Sequence, residues 1–429
     1  MHLTGLESAM LDGREGKARQ KAMELLVRYG EALGADRFVD TNNVAGVPGS
    51  ANPFLQQYYK DAQAREYDAI FSYFDLDSDE LVPVPQALVQ TCCLQGGADP
   101  EHWETLGTKP AVFKMYQDRE AYAADHGVKI LKTCTPYLVG NTPAKGEHCA
   151  WMESSAVVYC NSVLGARTNT EGRESTSAAM LTGKIPDWGL HKTANRFGTH
   201  RVDVAVRVET VMDWGMLGYF VGDAVQERIP VVAGDMSVPD LVRHKHFGAA
   251  AASTGGVEMY HVASSTPEAA SLDEAFGGRR PVEILAYGPA ERRRTYEQLN
   301  ANGRDTDVDY VMLGCPHYSL EQVRAASRLL ESRRISENCR LWIFTSRAVR
   351  EEADREGLTK IISGAGGVLM TDTCSAFAQA VPAGTRVVAL DSAKQVHYLP
   401  AIMNVQAWFG STEDCVEAAI TGRWDGHAP

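Results

Sequence analysis

The segments VEILAYG (282–288), ERRRTYEQLN (291–300), DYVMLGC (309–315), SLEQVRAASRLLES (319–332) and RLWIFTS (340–346) follow one another with little between them. Short apolar runs alternate with segments whose apolar residues recur every three or four positions, the first pattern reading as strand and the second as helix. The alternation continues through AVREEADREG (348–357), GVLMTDT (367–373), TRVVALDS (385–392) and STEDCVEAAITG (411–422). Strands separated by helices predict parallel βα units with both sheet faces covered, an α/β fold. Functional groups in such sheets lie just past the C-terminal strand ends. That rule selects Cys315, Thr345, Ser346, Cys374, and Ser392 with Lys394.

Upstream, RVDVAVRVE (201–209) alternates strictly and predicts a strand. GMLGYFVGDAVQERIPVVAG (215–234) predicts a helix, a turn at Pro230 and a buried strand, and GAAAASTGGVEMYHVA (248–263) a helix, a Gly-Gly turn and a strand. Nearer the N-terminus the pattern predicts helices over 16–33 and 57–64, a short strand at 37–39, and a loop over TNNVAGVPGSANPF (41–54). With 429 residues, two or three domains are expected. We place them at about 1–126, 127–280 and 281–429, bounds that allow discontinuous domains.

Composition narrows the function. Lys and Arg number 42 against 55 Asp and Glu, a formal charge of −13, which argues against a nucleic-acid or anionic-membrane partner. No apolar run has the length of a membrane helix and MHLTGLESAM does not read as a signal peptide, so a cytoplasmic protein is expected. In a reducing compartment the nine cysteines are buried thiols, metal ligands or nucleophiles. GAGG (364–367) lacks the third glycine of a dinucleotide fingerprint, and GxSxG and HExxH are absent.

The densest chemistry lies in KTCTPYLVGNTPAKGEHCAWMESSAVVYCNSVLGARTNTEG (132–172). From Glu147 to Leu164 it holds no lysine or arginine, which predicts one buried helix followed by an exit loop. Cys134, Cys315 and Cys374 share a context, each at a strand exit beside a turn or small residues. Three such thiolates can hold iron or an iron–sulfur cluster with one iron position open; the competing reading makes each a small buried hydrophobe. Glu153, Ser154, Ser155 and Asn161 sit where a helix interior disfavours such groups, unless the hydroxyls bond back to the preceding turn. Arg167 with Thr168 and Asn169 could grip a carboxylate, or pair with Glu153 or Glu171. Lys394 could supply a proton or bind an anion.

These motifs resemble those of the aconitase X family. The block 134–172 is similar to the family's central signature, and GCPHYS (314–319), DTC (372–374) and SAKQVHY (392–398) resemble its C-terminal signatures in order. The resemblance implies an aconitase-like fold, with several α/β domains of mainly parallel sheets around an interdomain iron site. It implies an iron-dependent hydro-lyase acting on a small hydroxy acid, cis-3-hydroxy-L-proline or mevalonate 5-phosphate, the first being preferred. It assigns Cys134, Cys315 and Cys374 as ligands of a 2Fe–2S or 4Fe–4S cluster or of a single iron. Glu153, Ser154 and Lys394 become candidate catalytic groups, and His148, Ser155, Asn161, Arg167, Thr168 and Asn169 candidate substrate contacts. It also implies a separate small subunit as partner. A different class of function, a non-catalytic iron–sulfur or zinc-binding subunit, stands as the alternative.

Overall fold

A computed structural model describes residues 1–46, 82 and 84–428. The helix expected at 57–64 lies outside the described residues. The first six strands are β1 (Phe38–Asp40), β2 (Asn43–Gly46), β3 (Gln90–Cys93), β4 (Val128–Ile130), β5 (Cys149–Trp151) and β6 (Lys184–Pro186). β4-β3-β2-β5 form a parallel sheet, and β1 pairs with β6 antiparallel. Next come β7 (His200–Val208), β8 (Pro230–Met236), β9 (His261–Val262) and β10 (Glu283–Tyr287), a parallel sheet in the order β10-β7-β8-β9. The last five are β11 (Tyr310–Tyr318), β12 (Arg340–Thr345), β13 (Val368–Met370), β14 (Val387–Leu390) and β15 (Gln406–Phe409). They form the parallel sheet β13-β12-β11-β14-β15, of which the alternating segments predict β11 to β14 and miss the edge strand β15. Among the described residues no helix is long and apolar enough to cross a membrane.

Two local readings are corrected. Asn43–Gly46, expected in a loop, is a strand paired on both sides. A central parallel strand is buried on both faces and needs no alternation. Its small residues serve close packing: a Cβ on Gly46 would lie 2.6 Å from Thr176 Oγ1 on the helix Arg173–Thr182. The single helix expected over 147–164 is instead β5, a helix from Ser154 to Tyr159 and a π-helical turn from Cys160 to Leu164. A fully buried strand has the same lysine-free signature as a buried helix, and length alone separates them. Strands on both sides of 126/127 share the first sheet, and β10 joins β7 across 280/281.

The helices Val211–Val225 and Leu241–Gly255 cross closely in the second unit. A Cβ on Gly222 would stand 2.1 Å from Thr254 Oγ1 and 2.5 Å from the Ala251 carbonyl oxygen, so only glycine fits. Gly222→Ala is expected to cost about 1–3 kcal/mol through overpacking, despite alanine's better helix propensity. Thermal unfolding checks this; an unchanged Tm would mean the helices can part freely. The helix Leu241–Gly255 also packs on the helices Ser154–Tyr159 and Ala393–Met403 and on β11. It thus stands between the site-bearing elements of the first and last units.

Candidate active site

Each candidate thiol is placed by a distortion at the end of a strand. Cys134 follows β4 after Lys132, whose φ of 47° turns the chain. Cys315 lies where Gly314 to His317 bulge from the ladder, which is in register at Leu313 with Ile343 and resumes only at Tyr318 with Thr345. Gly314 has φ 95°, and a Cβ there would meet the Phe344 carbonyl oxygen at 2.1 Å. Cys374 caps the short helix Ser375–Ala378 beyond β13. All three are 6–7% exposed and unpaired. Burial raises all three thiol pKa values, that of Cys374 to about 12, and the charge of Cys315 further disfavours ionisation of both Cys134 and Cys374. The three therefore share one buried neighbourhood.

Opposite them stands a buried ion pair. Glu153 caps the helix Ser154–Tyr159, its Oε2 accepting from the Ala156 N–H at 2.8 Å and the Ser155 hydroxyl at 2.5 Å. Its Oε1 accepts from Lys394 Nζ at 2.6 Å, and the same ammonium donates to Ser154 Oγ at 3.3 Å. The two side chains are 13% and 15% exposed. Burial works against both charges, yet the Lys394 charge and bond, Ser155 and the Ala156 N–H hold Glu153 below the usual carboxylate range. The charge of Glu153 outweighs the burial of Lys394 and raises its pKa. The pair is ionised at neutral pH and sits within the field of Cys134 and Cys315.

Not all expected residues join this site. Asn161 is fully buried and bonds the Thr168 backbone and the Glu258 carbonyl oxygen. The Thr168 hydroxyl accepts from the Trp151 N–H and donates to the Asn169 carbonyl oxygen. Asn169 bonds the Trp188 carbonyl oxygen and the Leu190 N–H. Arg167 donates to the His191 carbonyl oxygen at 2.6 Å and to Thr193 Oγ1 at 2.8 Å. His148 contacts the ring of His191 at 2.9 Å. These five residues form a second cluster, in which Arg167, Asn169 and His148 hold the turn region 188–193 while Asn161 and Thr168 brace the backbone beside it. Sequence places them near Glu153 because the chain passes through both clusters within twenty residues.

The structure adds groups that sequence did not single out. Lys245, 2% exposed, comes from the second unit and lies near Cys134 and Cys315, with burial lowering its pKa to about 8. A lysine beside the alanine-rich run 249–252, with no acid three or four positions away, was the available signal. Tyr137 stacks on Tyr159 with centroids 3.7 Å apart, near Cys134 and Glu153, and its hydroxyl is buried without a partner. Gln395 Nε2 reaches Cys374 Sγ at 4.0 Å and leaves its own Oε1 unpartnered, as is Thr373 Oγ1. A cavity of about 460 Å³ beside Lys132 and Asp372 contains no cysteine, and Arg347 there is bound to Glu120 and Asp372.

Among the described residues, no three His, Cys, Asp or Glu side chains are drawn together as a single-ion site. The three thiols would instead suit a cluster, in which each cysteine would bind a different iron. Three buried unpaired thiols stand beside a tyrosyl hydroxyl, a threonine hydroxyl and an amide oxygen that are buried without protein partners, groups that a bound cofactor or substrate would satisfy.

Family models described as the aconitase X first, second and third domains match residues 1–194, 198–297 and 308–421. The phosphomevalonate dehydratase large subunit of Methanothermobacter thermautotrophicus is 38% identical over 419 residues, 95% of this chain and 96% of that protein. The cis-3-hydroxy-L-proline dehydratase of Hypocrea jecorina is 32% identical, the match covering 100% of this chain and 70% of that protein. The crystal structure of Thermococcus kodakaraensis aconitase X in its holo-form superposes with a TM-score of 0.80 at 30% identity, covering 98% of this chain and 100% of that one.

Proposed function

The chain belongs to the aconitase X family, and on that footing we propose that it is the large subunit of a cytoplasmic cis-3-hydroxy-L-proline dehydratase, working with an iron–sulfur cluster held by Cys134, Cys315 and Cys374. It is a hydro-lyase, as its dehydratase relatives are. One observation carries the site assignment: the shared neighbourhood of three buried thiols with the Lys394–Glu153 pair.

Dehydration breaks a C–O bond, whose electron pair leaves with oxygen as water, and removes the proton from the adjacent carbon to make C=C. When bound, a cluster with an open iron position supplies Lewis acidity toward the departing hydroxyl. Glu153 keeps Lys394 charged, so Lys394 acts as an anion-binding donor for the substrate carboxylate and not as a base. Ser154, on the same ammonium, helps orient it. Glu153 is committed to Lys394, Ser155 and the Ala156 N–H and does not take the substrate proton. The base is therefore assigned to the small subunit, a partner supported by the relatives named large subunits.

Lys245 near the thiols is already bonded to carbonyl and amide oxygens, leaving Lys394 to a single anionic group, which favours a substrate without phosphate. The 38% identity to a phosphomevalonate dehydratase favours the second reading, mevalonate 5-phosphate. Co-expression with a candidate small subunit, anaerobic purification and assay of both substrates decides between them. Turnover of mevalonate 5-phosphate alone would overturn the proline reading, and activity of the large chain alone would remove the partner. Tyr137→Phe is expected to leave Tm unchanged, since the lost hydroxyl has no partner, while lowering kcat/KM about tenfold or more if it meets the substrate. Unaltered kinetics would remove Tyr137 from the site.

A further inference from the structure

His317 is 1% exposed and shares the β11 bulge with Cys315, yet its bonds reach the loops of both other cysteines. Its backbone N–H donates to Cys134 Sγ at 3.3 Å. Its Nε2 lies 2.8 Å from the Thr373 carbonyl oxygen, which can only accept, so Nε2 carries the hydrogen and Nδ1 is the acceptor. Nδ1 is 2.9 Å from Thr133 Oγ1, whose hydroxyl therefore donates, while the same oxygen accepts the Thr135 N–H at 3.1 Å. Thr133 and Thr373 immediately precede Cys134 and Cys374. One imidazole thus ties together loops that leave β4, β11 and β13, strands of two different sheets.

Lys245 fixes the backbone of the same bulge. Its ammonium donates to the carbonyl oxygens of Pro316 at 3.2 Å and His317 at 2.8 Å, and to Gln322 Oε1 at 2.5 Å. An ordinary core histidine needs two partners of any kind. Here both ring partners adjoin the other two thiols, and the imidazole is held where a small tilt would move both loops at once.

We propose that His317 is a positioning residue that sets the relative placement of the three cysteine loops before the cofactor arrives. Its imidazole is the strut between the Cys134 and Cys374 loops, and its N–H fixes the Cys134 sulfur. This rests on the reading that the three thiols hold the cluster, so the test has an arm independent of iron. The full chain carrying His317→Gln is compared with the wild type and with Thr133→Val. Glutamine cannot span both ring partners, and Thr133→Val keeps the imidazole but removes its donor. Iron and sulfide content, visible spectrum and midpoint potential are measured after anaerobic purification. Iodoacetamide alkylation of Cys134 and Cys374 is followed by mass spectrometry in iron-stripped protein.

For His317→Gln we expect about tenfold weaker iron retention with a shifted midpoint, and about tenfold faster alkylation from loosened loops. Thr133→Val should fall between it and the wild type, and it decides the matter if the glutamine variant does not fold. Wild-type iron content, midpoint and alkylation in the folded variants would overturn the proposal. A wild type that binds no iron would instead remove the cluster reading, and alkylation would still decide the role of His317.

Discussion

Lys394→Met is expected to lower activity about 10²–10³-fold, the scale for losing a preorganised charged donor, and to destabilise the protein by about 3–5 kcal/mol. The second effect arises because Glu153 remains buried with its counter-charge removed, keeping the Ser155 and Ser154 hydroxyls and the Ala156 N–H. In the wild type the depressed Glu153 pKa contributes stability that is present above the unfolded carboxylate pKa and lost as pH falls through the folded one. The raised Lys394 pKa contributes stability that is present below the unfolded lysine pKa and lost as pH rises through the folded one. Across the neutral range neither is lost. In the variant, burial dominates and raises the Glu153 pKa above its unfolded value, so stability declines as pH rises through the interval between the two. Unfolding at about pH 5 and about pH 8 therefore separates the proteins: the variant's deficit should grow toward the higher pH. A deficit independent of pH would show that Lys394 contributes packing and not charge. Lys394→Arg, which keeps the charge, should recover stability before activity.

Cys315→Ser is expected to remove the visible absorbance and most bound iron, and to reduce activity by more than about 100-fold, beyond the effect of losing an outer-shell partner. Cys315 is the thiol whose charge disfavours ionisation of both other cysteines, and its loss leaves only two of the three candidate ligands. The structural cost should be small, about 1–3 kcal/mol for burying a hydroxyl in place of a sulfur. Iron content per chain, absorbance and Tm measured together distinguish the cases. A folded variant that keeps its iron would exclude Cys315 as a ligand. A colourless, iron-free wild type that binds zinc and stays folded would favour the non-catalytic metal-binding alternative over the dehydratase.

Much of the architecture is legible in the chain because parallel sheets leave a strong imprint. Apolar strands separated by amphipathic helices predict β10 to β14, though not β15, and the strand-exit rule selects Cys315, Cys374 and Lys394 from that imprint. The same logic fails at Asn43–Gly46 and Cys149–Trp151, where strands buried on both faces carry no period. Polar residues proved harder to place. Glu153 and Asn161 lie eight positions apart within one polar-rich stretch, yet one faces Lys394 and the other bonds the Thr168 backbone. A sequence records that such groups need partners, but not which partners they find. The strand ends and their thiols were set by local pattern, since period and turn chemistry act within a few residues. The joining of Cys134 to Cys315 through His317, the pairing of Glu153 with Lys394 across 241 positions, and the arrival of Lys245 from the second unit were decided by tertiary structure alone. Buried polar groups must be satisfied wherever the packed helices and sheets bring them, and that requirement is indifferent to distance along the chain.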